Sequence, residues 1–175
     1  ILWINLVTDG ILDITIAMEP KEGDVMEEDP RPLRSRIINR EMWINTVLVS
    51  INMAIGSLFV FHLGTQTGSI DHARTMVFTT MAMFQVFNAF NVRSRTKSLF
   101  QMNFFGNPYL LGAVIVSVTL QILTSQLPFM NRILDTVPLT FDDYLLIVPV
   151  SATILVVSEV IKWVWARIRA AKTAR

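Results

Sequence analysis

The sequence predicts an all-α membrane protein built as a bundle of five transmembrane helices. Three observations lead to this prediction: the composition, five apolar runs, and an alternation of charge between the connections that join them. Hydrophobic residues make up 52% of the 175 residues and charged residues only 17%, while the mean hydropathy is +0.48. A soluble domain usually has roughly 25% charged residues. We therefore expect an integral multi-pass membrane protein.

The first run, predicted over residues 1–19, is apolar but carries a polar stripe. Spacings of three and four residues place side chains on one face of a helix. The stripe consists of Asn5, Thr8, Asp9 and Asp13. A carboxylate at the centre of a membrane helix costs about 3 kcal/mol on insertion scales, so such groups usually face a bundle interior and mark an ion or proton path. The alternative, a soluble amphipathic helix, does not fit the apolar remainder of the chain.

Four further runs are each about long enough to cross a hydrocarbon core of roughly 30 Å at 1.5 Å per residue. They are predicted over residues 43–63, 74–92, 109–127 and 143–163. Gln85 and Asn88, in the second of these runs, are three residues apart. They therefore share a helix face, which should point toward other helices instead of lipid.

Two of these runs begin with residues typical of helix starts. Asn107 precedes Pro108, and proline suits the first turn because the amide proton that it lacks would have no partner there. Thr140 precedes Asp143 by three residues, which is the spacing of a capping box with Asp in place of Glu. These signals predict where the last two spans begin.

The basic residues alternate between the connections as the positive-inside rule requires. The connection after the first span carries five, the next only Arg74, the next three, the next only Arg132, and the tail after Lys162 four. We therefore expect the carboxyl terminus in the cytoplasm and the amino end of the first span on the outer face. The membrane that we expect is the plasma membrane.

Other classes of site find no support in the sequence. The chain has no cysteine, which excludes disulfides and thiolate metal ligands. His62 and His72 lack neighbouring ligands, so an interfacial location fits them better than a metal site. There is no glycine-rich phosphate loop and no Ser/His/Asp arrangement. We expect no catalytic residue and no nucleic acid as a partner.

Several stretches resemble type II P-type cation-transporting ATPases, and the calcium pumps among them most closely. The stretch LWINLVTDG at residues 2–10, followed by Glu19-Pro20, resembles the sixth transmembrane helix of that family. Motifs similar to the eighth, ninth and tenth helices follow in order: NAFN and SLF at 88–91 and 98–100, NPYLLG at 107–112, and SEVIKW at 158–163. The resemblance implies the C-terminal half of the transport domain, helices six to ten.

The resemblance also implies that Asn5, Thr8 and Asp9 bind the transported cation at a point where the helix unwinds. Carboxylate, amide, hydroxyl and backbone oxygens suit a hard cation such as Ca²⁺, with Asn5 and Asp9 as metal ligands. Gly10 would allow the backbone to open beside Asp9. By resemblance the cargo is Ca²⁺, although magnesium, sodium or protons remain alternatives.

Two departures from the family pattern concern the ion path. Gln85 stands where calcium pumps of the sarcoplasmic-reticulum type have Glu in the eighth helix, and the proline usual two residues after the glycine is absent. Asp13 is an additional acid. Gln85 either faces the path or is a packing amide. Asp13 is an entry-path or proton-handling group, or a solvated residue near the interface.

We further expect the chain to be part of a longer protein, because it opens without Met inside an apolar helix. The family's phosphorylated Asp and its nucleotide-binding domain would lie in the parent chain, together with the need for ATP and Mg²⁺. This part alone should not hydrolyse ATP. Its partners would be the remainder of the same pump and membrane lipid. The alternative is a membrane scaffold or regulatory module without its own ion site.

Overall fold

A computed structural model describes residues 2–20, 40–94 and 98–173, which form helices and short connections without a strand. A π-helix opens the described chain and continues directly into the first α-helix. The elements are the π-helix Ile4–Asp9, α1 Gly10–Ile16, α2 Arg40–Thr67, α3 Ile70–Val92, α4 Pro108–Gln126, α5 Pro128–Leu134 and α6 Phe141–Thr173. Two 3₁₀ turns, Leu99–Gln101 and Phe104–Gly106, lie between α3 and α4. The predicted all-α membrane architecture is confirmed.

Helices α2, α3 and α6 pack against one another and form one side of the bundle. Small residues permit the close approach of α2: a methyl group on Gly64 would lie 2.9 Å from the Cα atom of Ala73. Such small residues are typical of contacts between membrane helices, where association depends on tight van der Waals packing. The buried apolar side chains at these contacts include Val49, Val60, Met76, Phe84, Ile147 and Ile154.

The short helix α1 packs on the other side of α3 and on α4. Its anchor is Leu12, which is 2% exposed and lies in a cluster with Val86, Ala89, Phe90 and Leu110. Because Leu12 faces away from water while Asp13 is exposed, the anchor fixes the rotation of α1. That rotation determines which polar groups of the first segment meet α3.

Three helices of the described chain are long and apolar enough to cross a membrane: Arg40–Thr67, Pro108–Gln126 and the Phe141–Ala171 part of α6. They contain, nearly or completely, the predicted spans 43–63, 109–127 and 143–163. The first predicted span corresponds to the π-helix and α1, which are short, and the span 74–92 lies within α3, whose buried face carries several threonines. The division into five spans therefore stays a prediction.

Both predicted helix starts are confirmed. Asn107 Oδ1 accepts a hydrogen bond from the Leu110 amide at 3.0 Å. At the start of α6, the Thr140 amide donates to Asp143 Oδ2 at 2.7 Å, and the Asp143 amide donates to Thr140 Oγ1 at 3.4 Å. The same Asp143 oxygen lies 3.0 Å from His72 Nε2. This contact joins the first turn of α3 to the first turn of α6.

The connections contain structure that the sequence did not predict. Helix α5 follows α4 after one residue and ends at Asp135, which has a left-handed backbone with φ of 54°. Six of the basic residues that set the predicted orientation lie outside the described residues, in 21–39 and 95–97. The orientation in the membrane therefore stays a prediction.

Candidate cation site

A cavity of about 270 Å³ lies between the first helical segment and α3. Four polar side chains line it: Asp9, Asp13, Gln85 and Asn88. Four apolar side chains complete the lining: Leu12, Ile16, Ala89 and Val92. The cavity thus presents two carboxylates and two amides on an otherwise apolar surface.

The lining follows from helix periodicity on both walls. Asp9, Asp13 and Ile16 are spaced by four and three residues, and the residues on α3 repeat at similar spacings from Gln85 onward. Such spacings bring side chains to one face of a helix. Burial of Leu12 against Ala89 then brings the two faces together. Asp9, Asp13 and Gln85 therefore line one cavity.

The backbone of the first wall is irregular where its carboxylates begin. Residues Ile4–Asp9 form a π-helix that ends at Asp9. A π-turn contains one more residue than an α-helical turn, and such turns are rare and frequently occur at functional sites. The irregular segment therefore contains Asp9 and ends four residues before Asp13.

The predicted opening of the backbone at Gly10 is wrong in this structure. Gly10 has φ of −59° and ψ of −41°, which are α-helical values, and the irregularity lies in the π-helix before it. A widened turn retains backbone hydrogen bonds, whereas a fully opened turn would leave amide and carbonyl groups without partners in an apolar environment. A methyl group on Gly10 would be 3.7 Å from the Asn5 carbonyl oxygen, an ordinary contact.

Asp9 is the least satisfied group of the cavity. Its side chain is half-buried, and within the described part of the chain its Oδ1 atom is buried and accepts no hydrogen bond. A buried oxygen of this kind is costly, because it has lost water without gaining another partner. Asp13, one turn further along, is exposed. The arrangement can accept a cation or a proton at Asp9.

The other two predicted ligands do not line the cavity. Thr8 is 2% exposed and is packed inside the described chain, whereas Asn5 is exposed on the surface of the π-helix. No group of three or more His, Cys, Asp or Glu side chains within the described ranges could hold a metal ion by itself. A site here would need the amide oxygens of Gln85 and Asn88 and further oxygen ligands.

Sequence reasoning missed part of this site. Asn88 was expected to face other helices, and its spacing of three from Gln85 was the signal that both amides would enter the same cavity. No spacing of residues in the sequence indicated that Ile4–Asp9 would form a π-helix. The ion pair of Glu19 with Arg93, just beyond the cavity, joins residues far apart in sequence and was also missed.

Comparison with known proteins gives the following similarities. Residues 1–164 match the family model described as "Cation transporting ATPase, C-terminus". The chain is 32% identical over 164 residues to Calcium-transporting ATPase 1 of Yarrowia lipolytica, covering 93% of this chain and 18% of that protein. It is 33% identical over 156 residues to Calcium-transporting ATPase of Bacillus subtilis, covering 87% of this chain and 17% of that protein.

A human protein shows a similar match. The chain is 32% identical over 163 residues to Calcium-transporting ATPase type 2C member 1 of Homo sapiens, covering 93% of this chain and 18% of that protein. The candidate cavity lies within the residues matched by the family model, and α6 extends beyond them to Thr173. The chain thus spans less than a fifth of the length of these relatives.

Proposed function

This chain belongs to the family of P-type cation-transporting ATPases, as part of their C-terminal membrane region, and on that premise we propose that it carries part of the ion path of a calcium pump. The relatives whose names state a cargo are calcium-transporting ATPases. Because the chain covers only 18% of the first of them, pumping is proposed for the parent protein and the path for this part.

The cavity is the observation that carries the proposal. It brings two carboxylates and two amides to one place, and calcium is bound by six to eight oxygen atoms from groups of these kinds. The Oδ1 atom of Asp9 is buried and has no hydrogen-bond partner among the described residues. This is expected of a metal ligand whose cation is not bound. We propose Asp9 as the principal ligand.

The remaining ligands are proposed from the resemblance and from position. Asn5 is exposed on the π-helix, where another helix of the parent pump would pack against it. Thr8, buried one residue before Asp9, would contribute its hydroxyl or its carbonyl oxygen. Ligands from helices outside this chain would complete the coordination shell. Without the exposed Asp13, the cavity side chains offer at most one carboxylate and two amide oxygens, fewer oxygen atoms than calcium requires.

Asp13 and Gln85 are proposed as members of the ion path, not as the principal ligands. Asp13 lies about 6 Å from Asp9 along the helix axis, at 1.5 Å per residue, and its exposure suits a group at the entrance. Gln85 provides an uncharged oxygen on the facing wall. The site would therefore carry one negative charge fewer than one with Glu at this position.

The nucleotide, the partners and the membrane location are proposed from the same membership of the family. ATP and Mg²⁺ would act on domains of the parent chain, and this part would not hydrolyse ATP alone. Its partners would be the rest of the pump and membrane lipid. The charge distribution supports a cytoplasmic carboxyl terminus, and we propose the plasma membrane as the location.

Ion-stimulated ATP hydrolysis by the full-length pump tests the proposal. The variant Asp9→Asn keeps the shape of the side chain but removes its charge, and it should abolish the calcium-stimulated rate. The matched control is Asp142→Asn, an exposed acid at the start of α6, which should retain that rate. Survival of the rate in Asp9→Asn would favour a scaffold role. Competition by magnesium, sodium or protons would identify a different cargo.

A further inference from the structure

A buried ion pair joins the two walls of the cavity at one end. Arg93, which follows α3, donates from Nε to Glu19 Oε1 at 2.9 Å, and its Nη2 atom lies 2.8 Å from the same oxygen. The side chains of Arg93 and Glu19 are only 2% and 15% exposed. Glu19 follows α1 by three residues. The pair therefore connects the carboxyl ends of both helices that line the cavity.

Asn107 extends this pair to α4. Its Nδ2 atom donates to Glu19 Oε2 at 2.8 Å and to the Thr15 carbonyl at 2.9 Å, while its Oδ1 atom caps α4. Arg93 also donates from Nη2 to the Asn103 carbonyl at 3.2 Å. Both carboxylate oxygens of Glu19 are thus occupied. These hydrogen bonds therefore join the carboxyl ends of α1 and α3 to the start of α4 at one buried position.

This point lies next to the cavity. Ile16, the last cavity residue of the first wall, comes directly after Thr15, and Val92, the last one of the second wall, directly precedes Arg93. Each helix is stiff over the few turns between the ion pair and the cavity. The distance between the helices at the ion pair therefore constrains the distance between the polar side chains on the two cavity walls. The distance between the carboxylates and the amides therefore depends on the ion pair.

We propose that Glu19, Arg93 and Asn107 form a positioning clamp, which sets the spacing of the cavity walls and thereby the affinity of the site for its cation. The proposal rests on the proposed function of the cavity. A buried ion pair often contributes little net stability compared with apolar side chains. A role in setting the distance between the cavity walls would explain the presence of this buried ion pair. None of the three residues contacts the cation; each acts through the helices.

The test is equilibrium binding of radiolabelled Ca²⁺ to the full-length pump in detergent or vesicles. The variant Glu19→Gln keeps one acceptor oxygen but loses the charge, and the dissociation constant for Ca²⁺ should rise roughly 5- to 10-fold, the lower range of typical coupling between sites. The number of sites per folded molecule should stay the same. A merely structural role would lower the number of binding-competent molecules and leave their affinity unchanged.

A matched control is available in Glu159 on α6. This carboxylate is similarly buried, at 20% exposed, and it accepts hydrogen bonds from Ser98 Oγ and the Leu99 amide, but it does not line the cavity. Glu159→Gln should therefore leave the affinity for Ca²⁺ within about twofold of wild type, since its partners Ser98, Leu99 and Lys162 do not line the cavity.

A double-mutant cycle tests whether the pair acts as one unit. Arg93→Gln alone should weaken binding about as much as Glu19→Gln, and the double variant should weaken it no further, because residues in direct contact are not additive. If Glu19→Gln does not fold, Arg93→Lys is measured in its place. This variant keeps the positive charge but lacks the planar guanidinium group, whose nitrogen atoms reach both Glu19 and Asn103.

The outcomes separate the clamp from the proposed function. An unchanged affinity in folded Glu19→Gln, or in Arg93→Lys where the first does not fold, would overturn the clamp. Additive effects in the cycle would also overturn it. Failure of the wild-type pump to bind Ca²⁺ would instead overturn the proposed function on which the clamp rests.

Discussion

Asp9 and Asp13 line the same cavity from one wall, four residues apart, yet only Asp9 has a buried carboxylate oxygen that accepts no hydrogen bond from the described residues. Asp13 is exposed. Two carboxylates one helical turn apart repel each other, and a cation or a proton between them relieves this repulsion. Different exposure therefore implies different roles for the two acids.

The first prediction separates these roles. In the full-length pump, Asp9→Asn should abolish ion-dependent phosphoenzyme formation, because the principal charged ligand is lost. Asp13→Asn should change the level by less than about fivefold, which corresponds to a contact worth roughly 1 kcal/mol, or should shift the pH dependence of phosphoenzyme formation. Phosphoenzyme measured against calcium concentration and pH would show this. Complete loss from both substitutions would mean that the two carboxylates form a single site.

A second prediction concerns the charge on the facing wall. Gln85→Glu would add a third carboxylate to the cavity lining, and calcium affinity rises with the number of charged ligands. The concentration of calcium for half-maximal ATP hydrolysis should fall, by about tenfold for a gain of 1.4 kcal/mol. Gln66→Glu, at an exposed position near the end of α2, is the control. An unchanged calcium dependence would identify Gln85 as a packing amide.

A third prediction concerns stability at the opposite end of α3. Asp143→Asn would weaken three contacts of one carboxylate oxygen, which lies near the Thr140 amide, the Thr140 hydroxyl and His72 Nε2. Loss of charged hydrogen bonds at a partly buried site costs about 1 to 3 kcal/mol. The midpoint of thermal unfolding should fall. The neighbouring exposed acid gives the control Asp142→Asn, and equal midpoints for the two variants would contradict this account.

A fourth prediction concerns orientation in the membrane. Cysteine placed at Thr67, an exposed position at the end of α2, should react with a membrane-impermeant reagent from outside the cell. Cysteine at Ala171, near the end of α6, should react only after permeabilisation. The expectation follows from the excess of basic residues in the last turns of α6 and beyond its end. The reverse labelling pattern would contradict the proposed topology.

The sequence predicted the apolar helices and three of the polar residues that line the cavity, Asp9, Asp13 and Gln85. Length and hydropathy indicated α2, α4 and α6, and helical spacing placed Asp9 and Asp13 on one face. These features depend on local composition and on helix periodicity, which a single sequence records. The family resemblance, not spacing, linked Gln85 to the same path.

The features that the sequence did not predict depend on contacts between distant residues. The π-helix contacts α3, and the contact between Glu19 and Arg93 spans 74 positions. Asn5 shares the polar stripe with Asp9 by spacing but lies on the exposed surface, because the widened turn changes the rotation between them. A straight α-helical projection cannot include that change.

The most direct test of the central claim is equilibrium binding of Ca²⁺ to purified full-length pump, compared between wild type and Asp9→Asn. The account predicts saturable binding by the wild type and, in the folded variant, a loss of affinity of at least about 100-fold, corresponding to roughly 2.7 kcal/mol. The substitution preserves the shape of the side chain, so the variant should fold. Its midpoint of thermal unfolding, compared with that of the wild type, checks this. Binding by folded Asp9→Asn with the affinity of the wild type would contradict the assignment of this cavity as the cation site.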